Sequence, residues 1–187
     1  MMLDPLVSSI ISISFGLMFL LASVHKLTGF AQFRAVLRDY RVMPGAVVPL
    51  AAAALPVLEI LLGLGWLFLA DVRIVALGTI ALVALYSFAI AINLLRGRVH
   101  ISCGCGFGKS AAGDETLSWG LVVRNAALLV AAAAATLPET SRSLGMLDYV
   151  TLLAALVGIV LLFTAGNQLI RNSGAINTWR RGARPSD

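Results

Sequence analysis

The chemistry in this sequence concentrates in one stretch, Ile101-Ser102-Cys103-Gly104-Cys105-Gly106-Phe107-Gly108. Cys103 and Cys105 are the two cysteines of the chain, and one residue separates them. A disulfide needs its Cα atoms ~4.4 to 6.8 Å apart. Residues i and i+2 of an extended chain sit near or beyond that upper limit, so the ring closes only if Gly104 bends the backbone. A disulfide closed under such strain is easily reduced, which suits exchange rather than cross-linking. Arg96, Arg98, His100 and Lys109 flank the pair and favour the thiolate, the reactive form. Two blander readings stand beside this one: two ordinary thiols, or half of a metal site shared with His100 or His25. A tetrahedral site usually takes four Cys or His ligands at familiar spacings, and the chain holds two of each. No metal is expected, and the redox-active pair is the leading reading.

Glu59 is the second signal. It falls in the middle of an apolar run, where a charge is costly and points to function. Pro56, one turn earlier, removes a backbone donor and loosens the helix. A carboxyl group there can stay protonated, relay a proton or pair with a cation. The structural reading is a buried pair that locks a bundle, with Arg124 as a candidate partner. His25, Lys26, Asn93, Arg96, Arg124 and Asn125 are further polar residues inside or at the ends of apolar runs. They are expected to gather toward one face with the cysteine stretch, and Glu59 toward the midplane below them.

The elements that must position these groups are membrane helices. Charged residues are 12% of the chain and hydrophobic residues 59%, with a mean hydropathy of +0.94; soluble domains carry about a quarter charged residues. Five runs reach the ~20 residues that cross a hydrocarbon layer as a helix: Pro5–Leu27, Val47–Ala70, Ile74–Leu95, Leu117–Leu137 and Val150–Ile170. None alternates with a period of two, so barrel strands are excluded, and helices satisfy their own backbone in lipid. The small residues Ala51 to Ala54, Gly63, Gly65 and Ala131 to Ala135 read as close helix packing. The expected fold is all-α and polytopic: about five transmembrane helices, a four-helix-bundle-like core plus one. One membrane domain is expected over 1–171, then a basic, disordered cytoplasmic tail over 172–187. The first run has no basic residue ahead of it and is too long for a cleaved signal peptide.

Between the first two runs, Phe30, Phe33, Leu37 and Tyr40 recur at helical spacing, and Arg34, Arg38 and Arg41 recur on another face. This predicts a short amphipathic helix in the headgroup region, with Thr28 capping its start and Pro44 after its end. Orientation follows from the basic residues. Five crossings put Lys26, Arg34, Arg38, Arg41, Arg96, Arg98, Lys109, Arg171, Arg180, Arg181 and Arg184 on one side, against Arg73 and Arg142 on the other. The C-terminus is expected in the cytoplasm and the N-terminus outside. No basic block with interleaved aromatic residues suggests a nucleic acid.

Several of these residues also carry a resemblance. The order His25-Lys26, Tyr40-Arg41 with Pro44, Leu55-Pro56 with Glu59, Asn93-Leu94-Leu95-Arg96-Gly97-Arg98, Cys103-Gly104-Cys105 and Arg124-Asn125 resembles the methylamine-utilisation protein MauE family, itself similar in character to DoxX-like membrane proteins. The resemblance covers nearly the whole chain, and the Arg-Gly-Arg and Cys-Gly-Cys segment is its most specific part. The family pattern runs Cys-Gly-Cys-Phe-Gly; here Gly106 intervenes before Phe107, which alters the loop. The resemblance implies a bacterial inner-membrane accessory role in maturation of methylamine dehydrogenase, whose small subunit is exported and rich in disulfides. It implies a thioredoxin-like MauD-type partner. Cys103 and Cys105 are then the exchanging pair, with Glu59, Arg124, Asn125, His25, Lys26, Asn93, Arg96, Arg98 and His100 in support. The charge count puts Cys103 and Cys105 at the cytoplasmic face, whereas an exported client lies outside. A single pair cannot itself span the bilayer, so a quinone, or movement of the loop through a cavity, would be needed to reach the other side, and no cofactor is fixed by the sequence. The competing reading is a non-catalytic scaffold for a thioredoxin-like partner or export client; a small transporter or metal-handling protein, with Glu59, His25 and the cysteines as ligands, is a third.

Overall fold

In the computed structural model, residues 2–68, 71–98 and 117–182 are described, without side chains at 167 and from 170 onward. Cys103, Cys105, His100 and Lys109 lie outside the described residues. Among the described residues there are six helices and no named strand: α1 (Pro5–Thr28), α2 (Phe30–Tyr40), α3 (Val48–Phe68), α4 (Val72–Leu95), α5 (Trp119–Ala134) and α6 (Met146–Gly182). The all-α, polytopic reading holds. Four of the helices, α1, α3, α4 and α6, are long and apolar enough to cross a membrane, and the chain is a multi-pass membrane protein.

Local sequence starts and stops these helices. Asp4 accepts from the Leu6 N–H at 2.8 Å to cap α1, with Pro5 at the first helical position, where its missing donor costs nothing. Asp71 caps α4 through the Arg73 N–H at 3.0 Å. α4 ends in a Schellman turn. The Arg98 N–H donates to the Asn93 carbonyl and the Gly97 N–H to the Leu94 carbonyl, with Gly97 at φ +70°. That left-handed position favours a residue without Cβ.

α1 and α3 run antiparallel and pack closely, with Gly16 opposite Leu67 and Gly63 opposite Leu20. A Cβ on Gly63 would sit 3.1 Å from the Gly16 carbonyl oxygen, and one on Gly16 would sit 3.3 Å from that of Gly63. The missing side chains let the backbones approach. Phe15 stacks on Trp66 with centroids 5.1 Å apart. The Trp66 indole N–H donates to the Thr79 hydroxyl at 2.8 Å, tying α3 to α4. α4 packs extensively on α5, and α6 packs on α1 at the periphery. No residue of the apolar window of α6 is buried, so α1, α3, α4 and α5 form the core and α6 is the additional helix.

α5 has 16 residues, about 24 Å at 1.5 Å each, yet it joins the two ends of the bundle. Leu117 and Leu121, at its start, cluster with Val36, Tyr40 and Ile90. Just beyond its end, Leu3 exchanges backbone hydrogen bonds with Pro138 and Thr140, and the Ser8 hydroxyl donates to the Glu139 carboxylate. Arg142 adds ion pairs to Asp4 at 3.3 Å and Asp148 at 2.9 Å.

Three local expectations change. Thr28 does not cap α2; its hydroxyl donates back to the Val24 and His25 carbonyls, and Gly29 takes the cap position without a side-chain bond. The inner face of α2 is Phe33, Val36 and Tyr40, while Phe30 is exposed, because α2 docks on α3 and presents the face that meets protein. The helix expected to end near Ile170 has its boundary at Gly182.

Candidate functional site

The most heavily charged interior point is built by three helices. α3 carries Glu59 near its middle, α1 brings Lys26 from its last turn, and α4 contributes Tyr86. The Lys26 ammonium pairs with Glu59 Oε1. The Tyr86 hydroxyl donates to the same oxygen at 2.9 Å, and Lys26 donates to the Tyr86 oxygen at 3.4 Å. Lys26 also stands 5.4 Å from the Phe33 ring centroid and 5.0 Å from that of Tyr86, so two aromatic faces share its charge. The side chains of Lys26 and Glu59 are 5% and 1% exposed. Glu59 Oε2 is buried and has no hydrogen-bond partner among the described residues.

A cavity of about 70 Å³ opens beside this pair, lined among others by His25, Lys26, Glu59, Tyr86, Arg124 and Asn125. It lies between α1 and α5, walled on one side by Phe163 of α6, over whose ring Arg124 stands at 5.5 Å. Arg124 therefore shares the cavity with Glu59, but the ion pair of Glu59 is with Lys26. The helix ends explain the choice: antiparallel packing of α1 on α3 lets a four-carbon stem from the last turn of α1 reach inward.

The remaining sequence candidates sit apart from this cluster. Asn93 is fully buried and donates through Nδ2 to the Ala89 carbonyl at 2.9 Å. Arg96 donates to the Arg41 carbonyl at 3.4 Å and Arg98 to the Asp39 carbonyl at 3.2 Å. These bonds fasten the end of α4 to the end of α2. They fix the point from which the chain departs toward Cys103 and Cys105, which lie outside the described residues. Tyr86 and Phe163 were not singled out by sequence, and Phe33 was read only as part of the apolar face of α2. A phenol in the middle of an apolar run was the available signal for Tyr86; Phe163 carries none.

A family model described as "Methylamine utilisation protein MauE" matches residues 4–138, which takes in α1 to α5. The chain belongs to the MauE family. Curated MauE relatives agree along the chain. It is 36% identical over 164 residues to the methylamine utilization protein MauE of Paracoccus versutus, covering 87% of each chain. It is 34% identical over 133 residues to that of Paracoccus denitrificans, covering 71% of this chain and 70% of the relative. A MauE protein of Methylophilus methylotrophus is 37% identical over 102 residues, 54% of each chain. No solved structure matches the chain. The MauE family match takes in every residue of the Lys26–Glu59–Tyr86 cluster and both cysteines, and ends before α6.

Proposed function

We propose that this MauE-family protein supports maturation of methylamine dehydrogenase by thiol–disulfide exchange at Cys103 and Cys105. The observation that carries the reading is the family match across the segment that holds the cysteine pair. The partner is a thioredoxin-like protein of the MauD type, and the client is the disulfide-rich exported small subunit. In the exchange, a thiolate of one dithiol attacks a sulfur of the other disulfide and a mixed disulfide forms. The second thiol then resolves it, so one pair ends oxidised and the other reduced. The protein sits in the bacterial inner membrane. The excess of Lys and Arg on the α2 side supports a cytoplasmic C-terminus. The basic turn at Arg96 and Arg98 supports a thiolate in the segment that follows.

The test is replacement of both cysteines. Cys103→Ser/Cys105→Ser should abolish maturation of the small subunit while the protein still inserts; full maturation with the double variant would refute the exchange. One feature favours a second reading, a non-catalytic scaffold: α2 turns Arg34 and Arg38 outward while its apolar face is docked. On that reading a thioredoxin-like partner copurifies with the double Cys variant, and Arg34→Glu/Arg38→Glu removes it.

A further inference from the structure

Two cavities meet at the Lys26–Tyr86 contact. The first is the chamber of about 70 Å³ beside Glu59. The second, about 90 Å³, lies beneath α2 among Phe33, Leu37, Tyr40, Leu55 and Ile90. Lys26 and Tyr86 line both. The first chamber carries the charged groups, whereas the second is walled by apolar side chains apart from the two residues at the junction and Tyr40.

The polar groups restrict what fits. Glu59 Oε2 is buried and lacks a donor among the described residues, so an occupant that donates a hydrogen bond there gains the full bond. The Lys26 ammonium at the same junction favours an occupant that also accepts. A phosphate or carboxylate would set its negative charge against Glu59 and would need Arg124, on the same wall, to offset it. A neutral occupant with both donor and acceptor character meets Glu59 Oε2 and Lys26 together. Both chambers lie among membrane-spanning helices, so it also has to be soluble in lipid, and the apolar chamber accommodates its hydrocarbon part.

We propose that the paired cavity binds a lipid-soluble quinone and its quinol. The quinol hydroxyl donates to Glu59 Oε2, and the quinone carbonyl accepts from the Lys26 ammonium. The binding claim stands on the cavity alone. Its use in electron transfer rests on the thiol-exchange reading: a dithiol closing to a disulfide releases two electrons and two protons, and a quinone taking up both becomes the quinol.

Direct binding tests this. The full chain in quinone-free lipid nanodiscs would be titrated with a short-chain benzoquinone and with its quinol, bound ligand being read by equilibrium dialysis. Saturable binding near one per chain is expected. Glu59→Gln should weaken the quinol about tenfold and the quinone less than about threefold, the scale of one hydrogen bond to a charged group. Ala22→Leu, which fills the first chamber, should abolish both, and Leu21→Ala on the lipid face should change neither. Ala22→Leu and Ala89→Leu keep every charge, so they carry the test if Glu59→Gln does not fold. The Cys103→Ser/Cys105→Ser variant should bind as the wild type does, which separates failure of this proposal from failure of thiol exchange. Absence of saturable binding, binding unaltered by Ala22→Leu, or equal competition by a simple long-chain alcohol would each overturn the proposal.

Discussion

Lys26 of α1 and Glu59 of α3 form an ion pair sealed inside the bundle, at 5% and 1% side-chain exposure. Burying two charges is expensive, and their attraction repays it only with good geometry and further hydrogen bonds. Tyr86 supplies one such bond at 2.9 Å. The cost of breaking the pair therefore exceeds what the intact pair contributes.

Lys26→Met alone should destabilise the protein by about 3–5 kcal/mol, because it strands a buried carboxylate. Lys26→Met/Glu59→Leu should recover most of that loss. Unfolding in detergent, read as a double-mutant cycle, checks it. Additive single effects would show that the two residues do not act as a pair.

At the α1–α3 crossing, Gly63→Val should cost about 1–3 kcal/mol by overpacking, since even its Cβ meets Leu20 at 2.9 Å. Gly158, with nothing within 4 Å of a built Cβ, should accept alanine without loss. Melting temperatures of the two variants, compared in one detergent, decide the point.

Replacing Gly97 tests the turn that launches the cysteine segment. Gly97→Ala should cost about 1 kcal/mol at this left-handed position, and Gly97→Asn clearly less. The rate at which a maleimide labels Cys103 and Cys105 should change with Gly97→Val, because the Arg96 and Arg98 bonds to α2 depend on the turn. An unchanged rate would separate the turn from the cysteines.

Thr79→Val removes the acceptor of the buried Trp66 indole and should cost about 1–3 kcal/mol. By contrast, Arg142→Ala should cost far less, and less again in high salt, because exposed pairs are screened. The hydrogen bond and charge of Asp148, then the charge of Asp4, hold the Arg142 guanidinium above its usual pKa, so it stays charged throughout the working pH range. Thermal unfolding across a salt series distinguishes the two variants.

The helices were legible because lipid imposes a simple rule on length and apolarity. α1 at Pro5–Thr28 and α4 at Val72–Leu95 fall within two residues of the runs read from sequence. α6 was underestimated at its far end because its continuation, with Arg171, Arg180 and Arg181, no longer looks like a span even though it stays helical to Gly182. The charged cluster was half legible. Glu59 and Lys26 stood out as ionisable residues in apolar surroundings, but their pairing depends on which faces of α1 and α3 meet. Lipid-facing Leu21 and Leu61 and core-facing Phe19 and Leu55 are all apolar, so hydropathy does not separate the faces. Val36 was missed and Phe30 overweighted on α2 because spacing alone cannot tell a helix lying on lipid from one docked on protein.

The partners of the buried pair are 33 residues apart in the chain, and that separation is also a delay during synthesis. At about 5–20 residues per second, α1 is made about two to seven seconds before Glu59 follows it. For that interval Lys26 has no carboxylate waiting for it, and its flexible stem keeps the ammonium at the membrane–water boundary near the end of α1. The lysine can turn inward only when α3 arrives. Insertion of the third helix is thus the step that seats the first, and a chain interrupted before Glu59 would leave α1 in the bilayer but unanchored to any neighbour by charge.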